Sequence, residues 1–192
     1  MALLDLYDVV IGAILVIAMA ATLVLVLVRR RRPASGPLLA AAILVVLSLI
    51  TVAIVPLAVP VPLTAALALL ATAVAVLGGD PVARRVLAFA SDDGVREGPH
   101  GGILLRPPAG SAQGAPEVMR GGVTIGYLER TASALALIVG YPEAIAVVVA
   151  IKGIARFTEL GSPEARERFI IGTLASLSWA CLTAATVRLV IA

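Results

Sequence analysis

The sequence predicts an all-α, polytopic transmembrane helical bundle of about six spans with both termini outside. Three observations carry that prediction. Of its 192 residues, 60% are hydrophobic and only 14% charged, and a soluble domain of this length could not hide so much apolar surface. The apolar residues fall in long unbroken runs instead of the short alternating segments of a spanning β-barrel. The basic residues gather at one side of those runs, the asymmetry expected of cytoplasmic ends.

The first span runs from Tyr7 to Val28 and meets Arg29, Arg30, Arg31 and Arg32 at once. Four consecutive arginines act as a stop-transfer signal on the cytoplasmic side and contact anionic lipid head groups there. The run is not read as a cleavable signal peptide: it lacks a basic n-region, starts with Asp5 and Asp8, and is long enough to span. Pro33 and Pro37 flank a turn, and the second span returns outward from Leu38 to Val55. Pro56, Pro60 and Pro62 punctuate an outer connection. Leu63 to Leu77 comes back in and stops at Gly78-Gly79, completing three helices within residues 1–80. The polar side chains in the second and third spans are hydroxyls, Ser48, Thr51, Thr64 and Thr72, which can bond back to their own helix carbonyls.

Residues 81–121 read as cytoplasmic. Asp80-Pro81 has the form of a helix start, an N-cap followed by proline at the first position. A short interfacial helix follows, with Val82, Val86, Phe89 and Ala90 on one face and Arg84 and Arg85 beside it. The alternative is a plain loop helix. From 91 to 121 the chain is rich in glycine and proline, with one extended candidate at Ile103-Leu104-Leu105. Asp92-Asp93-Gly94 invites comparison with the CDP-alcohol phosphotransferases, but the D-x-x-D-G-x-x-A-R pattern is not met, and the comparison fails. His100 is the single histidine and has no ligand-spaced Cys, Asp or Glu around it, so neither a metal nor another cofactor is expected.

Residues 122–192 form the last three helices. Val123 to Val139 goes outward, Gly140-Tyr141-Pro142 turns, and Glu143 to Leu160 returns. Gly161 to Arg168 is an inner loop, and Phe169 to Ile191 leaves the C-terminus outside. On this topology all fifteen Lys and Arg except Arg188 lie on or near the cytoplasmic side. The net charge of +3 therefore follows topology and implies no nucleic acid. Cys181 is the only cysteine and lies in an apolar run as a packing residue. Trp179 falls mid-span, where its indole N–H should reach a hydroxyl or carbonyl.

A polar layer follows from the helical rise. Counted from the cytoplasmic ends, Glu129 and Ser176 lie roughly 10 Å deep, Lys152 roughly 12 Å and Arg156 roughly 6 Å. Lys152, Arg156 and Glu159 share a face of the fifth helix, and Gly126, Glu129 and Ser133 share one on the fourth. Gly172 and Ser176 form a small-x-x-x-small pair. Charges at this depth must face the bundle interior. The layer is read either as an ion or solute site or as a salt-bridge cluster fixing helix register. Glu129 and Lys152 stand twelve residues before and eleven after Tyr141, so a tight turn should bring them face to face.

The segments I-G-Y-L-E-R, A-I-K-G-I-A-R-F-T-E-L and E-R-F-I-I-G-T-L-A-S, between Gly121 and Trp179, resemble the C-terminal signature of a group of uncharacterised bacterial integral membrane proteins. The resemblance implies a bacterial cytoplasmic (inner) membrane. It matches Glu129, Lys152, Arg156, Glu159, Gly172, Thr173 and Ser176 to motif positions. Two functions are compatible with these residues: a small solute or ion transporter, or a non-catalytic scaffold that engages a membrane partner through 91–121. Either could act as a homo-oligomer. No catalytic residues are expected, because no acid or nucleophile stands beside a phosphate site.

Overall fold

In the computed structural model the described residues are 2–31, 36–90, 103–104, 117–118, 122–157 and 161–192. They form six helices and one small strand pair: α1 (Ala2–Arg31), α2 (Gly36–Ile54), α3 (Val61–Ala90), β1 (Ile103–Leu104), β2 (Glu117–Val118), α4 (Gly122–Ile138), α5 (Glu143–Arg156) and α6 (Pro163–Ile191). Four of the helices contain stretches long and apolar enough to cross a membrane: Leu6–Val28 in α1, and α2, α3 and α6. Large apolar side chains such as Ile17, Leu39, Ile54, Leu69 and Ile154 lie exposed on the outside, as a lipid solvent requires and water would not tolerate. This is a membrane-embedded helical bundle.

The centre of the bundle is α3, which packs on α1, α4 and α6, while α6 also packs on α2 and α4. Leu15, Met19, Ala41, Val45, Leu67, Ala71, Val74 and Trp179 build the main apolar core. The fully buried residues of a second seam, where α3, α4 and α6 meet with Leu137 and Ile138 packed against them, are all alanines: Ala75, Ala134, Ala180 and Ala184. Side chains this small let three backbones come close, which is how packing stabilises helices when lipid is as apolar as the helix surface. Thr51, Thr64 and Thr72 donate to backbone carbonyls one turn back, as expected of hydroxyls in apolar surroundings.

Two helix boundaries differ from the sequence reading, and both concern a capping residue before proline. No new helix starts at Asp80-Pro81. Instead α3 runs on through Gly78-Gly79 and keeps Pro81 inside it. Pro81 cannot donate to the Leu77 carbonyl. Two side chains, however, donate to carbonyls in the preceding turn: Trp179 Nε1 to Val74 at 2.9 Å and Arg130 Nε to Val76 at 2.8 Å. They anchor the stretch before Pro81 to α6 and α4, although neither reaches the Leu77 carbonyl. Asp80 pairs with Arg84 one turn on, at 3.1 Å, instead of capping.

At Ser162-Pro163 the same signal does start a helix. Ser162 is extended at φ −107 and ψ 153, and its hydroxyl accepts from the Ala165 amide at 3.1 Å. The expected inner loop 161–168 is therefore mostly the first turns of α6. Of the extended candidate at Ile103-Leu104-Leu105, Ile103 and Leu104 form β1, paired antiparallel with β2, and Leu105 lies outside the described residues. Arg32, Asp92, Asp93, Gly94, His100, Glu159 and Leu160 lie outside the described residues.

The turn between α4 and α5 follows its sequence closely. The Gly140 amide donates to Leu137 and the Tyr141 amide to Ala136, the paired bonds of a Schellman cap. That cap needs a left-handed residue, and Gly140 supplies it with φ +84.

Candidate functional site

The polar groups of α4 form one stripe. Gly126, Glu129, Arg130, Ser133, Ala134 and Ala136 are its buried residues, spaced as one face of a helix turned to the bundle. The pattern on α5 is inverted relative to a soluble helix. Val147, Ile151 and Ile154 are exposed, and its one buried residue is Arg156. In water that arrangement would be unstable. It is the arrangement expected of a helix beside lipid, where exposing a cation is costly.

Two polar contacts hold the layer together. In the first, Lys152 Nζ donates to Glu129 Oε2 across the α4–α5 hairpin, the pair expected from counting residues about the turn. The Lys152 ammonium also lies 5.8 Å from the centre of the Phe169 ring on α6, within range of a cation–π attraction. In the second, Arg130 reaches across α4 to two helices at once. Its Nε donates to the Val76 carbonyl of α3 at 2.8 Å, and its Nη1 to the Ser176 hydroxyl of α6 at 2.9 Å. The guanidinium also lies 5.3 Å from the Tyr127 ring centre. Arg130 is only 4% exposed, less than Glu129.

Room for these groups comes from glycine. A Cβ on Gly78 would lie 2.7 Å from Trp179 Cε2, and one on Gly79 would lie 2.9 Å from both Arg130 Nε and Ser176 Oγ. The two glycines read as the end of the third span are thus the notch that receives Trp179 and Arg130. On the other side of Arg130, a Cβ on Gly126 would come within 3.0 Å of its Nη1.

Of the sequence-predicted residues, the structure joins Glu129 to Lys152 and places Ser176 on Arg130. Thr173, one turn before Ser176, and Arg156, at the end of α5, are buried. Glu159 lies outside the described residues. Arg130 was not singled out by the sequence, although it stands in the same Glu-Arg pair. The signal that could have found it is Gly126 four residues earlier, which leaves space for a long side chain on that face.

Two oxygen atoms of the stripe stand apart. Glu129 Oε1 and Ser133 Oγ are buried and have no hydrogen-bond partner among the described residues. They sit on the same face of α4, one turn apart. A buried polar atom left without a partner costs about 1 to 3 kcal/mol, so a ligand or water that reached them would be held.

The pair itself can be tested by a double-mutant cycle on detergent-solubilised protein. Glu129→Gln should destabilise the bundle by leaving the Lys152 ammonium without its carboxylate. Adding Lys152→Met should recover much of the loss, for a coupling of about 1 to 3 kcal/mol. Additive losses in thermal unfolding would show that the two charges do not interact.

Compared with protein-family models, with curated proteins and with solved structures, the chain matches none.

Proposed function

We propose that this membrane protein carries a small solute or ion, with Glu129 and Lys152 as its gate or coupling pair. The observation that carries this reading is the unpartnered pair of buried oxygens, Glu129 Oε1 and Ser133 Oγ. A salt bridge kept only to fix helix register would be expected to satisfy its neighbours; this one leaves buried acceptor capacity beside it. The reading is non-enzymatic.

The proposed topology has six spans, with both termini outside a bacterial cytoplasmic membrane. Two features support it besides the placement of the basic residues and the resemblance of the C-terminal motifs. α4 and α5, with 17 and 14 residues, are about 25 and 21 Å long, less than the roughly 30 Å of a bilayer core. Yet Arg130 meets Ser176, and the Gly140 position comes within 3.3 Å of Arg188. Between those two levels α4 follows α6 for roughly 18 Å, so the hairpin turn reaches the depth of the last turn of α6.

A scaffold is the second reading, favoured by the β1–β2 pairing, which ties together two points of the segment 91–121. Cysteine accessibility separates the two. In a Cys181→Ser background, Ser133→Cys should react with a small water-soluble methanethiosulfonate added from the cytoplasmic side. Ser111→Cys should stay unlabelled by an impermeant reagent outside intact cells. A position 133 that never reacts in membranes would mean a dry layer and favour the scaffold. Labelling of position 111 from outside would invert the topology.

A further inference from the structure

We infer that Glu129, Ser133 and Phe169 form a binding pocket for a small primary ammonium ion, and that Lys152 is a tethered occupant of that pocket. Three observations converge on it. Lys152 Nζ donates to one oxygen of Glu129. The other oxygen of that carboxylate is buried and without a partner among the described residues, as is the Ser133 hydroxyl one turn away. The Phe169 ring stands 5.8 Å from the same ammonium. An anionic oxygen, a hydroxyl able to accept and the face of an aromatic ring are the groups that recognise an alkylammonium. The side chain that fills the pocket now comes from the least embedded helix. α5 packs chiefly on α4, and the Lys152 side chain keeps 19% of its surface exposed.

The consequence is exchange. Glu129 carries one negative charge, and burial makes a second cation beside Lys152 costly. A ligand cation and the Lys152 ammonium therefore exclude each other. When the ligand enters, the ammonium swings away from Glu129 toward the cytoplasmic side, its four-carbon stem covering part of the way to that surface. When the ligand departs, Lys152 returns and the carboxylate is never left bare. The substrate class, for the carrier reading on which this rests, is then a small amine in its ammonium form.

Chemical complementation tests the pocket. Lys152→Ala leaves the Cβ and removes three carbons and the nitrogen, the outline of n-propylammonium, and it opens the path the stem occupied. Thermal unfolding of full-length Lys152→Ala in detergent should shift upward as n-propylammonium is added, rising with the logarithm of concentration. Propan-1-ol, the neutral analogue, should give no shift. Wild type should respond far less, because its own ammonium competes. Lys152→Ala with Glu129→Gln should not respond at all. A shift equal in wild type and Lys152→Ala, or one that survives Glu129→Gln, would overturn the inference. Should Lys152→Ala not accumulate, Lys152→Met with n-propylammonium takes its place: its apolar stem fills the path, so it should purify and show no shift, while expression of Lys152→Ala in cells grown with the amine should be restored. No restoration there would overturn the pocket. The cysteine reaction at position 133 reports water access whatever the pocket binds, so failure here leaves the carrier reading to that experiment alone.

Discussion

Gly78→Ala is expected to destabilise the bundle by about 2 to 4 kcal/mol, measured by thermal or denaturant unfolding in detergent. The new methyl would meet Trp179, whose Cε2 lies 2.7 Å from where that Cβ must go. The indole has little freedom to yield. It is 4% exposed and its N–H is committed to the Val74 carbonyl at 2.9 Å. Either α3 and α6 move apart, loosening the alanine seam at Ala75, Ala180 and Ala184, or the ring rotates and loses its hydrogen bond. Gly153→Ala is the comparator, because a Cβ there meets nothing within 4 Å. It should be neutral or stabilising by up to about 1 kcal/mol, since alanine is the better helix former. Equal stability of the two variants would mean that α3 and α6 are not packed through this notch.

Arg130→Ala should cost about 3 to 5 kcal/mol. It removes two charge-assisted hydrogen bonds, each about 1.5 to 3 kcal/mol, and leaves a void beside Gly79. Partly offsetting this is the relief of a buried charge, which is why the expected loss is less than the sum. Arg130→Lys should recover only part of it. A single ammonium cannot occupy both the Nε position at Val76 and the Nη1 position at Ser176. Because those bonds tie α4 to α3 and α6, the loss should also weaken the approach of Leu87 to Gly172, now at 3.3 Å from the Gly172 Cβ position. Wild-type stability in Arg130→Ala would show that the guanidinium spans no helices.

Much of the fold could be read from residues and their neighbours. Apolar runs located the helices, because lipid selects for continuous hydrophobicity whatever the packing partner. The Gly140 turn and the register of Glu129 with Lys152 followed by counting, since a tight hairpin and a fixed rise per residue leave little choice of depth. Trp179 found its carbonyl for a similar reason: at mid-span no water can satisfy the indole N–H, so the bundle must. The threonine hydroxyls Thr51, Thr64 and Thr72 likewise turned to carbonyls one turn back.

What the chain alone left open was decided by which helices touch. Asp80-Pro81 and Ser162-Pro163 are the same local signal, yet one lies inside a helix and the other begins one. What differs is the packing: α3 is held by Trp179 from α6 and Arg130 from α4, at sequence separations of 105 and 54 residues, while the Ser162 hydroxyl takes the Ala165 amide. No window along the chain contains both Pro81 and those partners. The choice of Arg130 over Glu129 as the cross-bundle link is of the same kind. The two are adjacent, about 100° apart around the helix, and hydropathy does not rank two charges. The direction from which α3 and α6 approach assigns Arg130 to the Gly78-Gly79 notch and leaves Glu129 for Lys152. The sequence by itself determined that these groups lie among apolar helices and at which positions along them, because helical rise and hydropathy are local properties; only the tertiary structure decided which donor meets which acceptor, because that depends on backbones brought together from opposite ends of the chain.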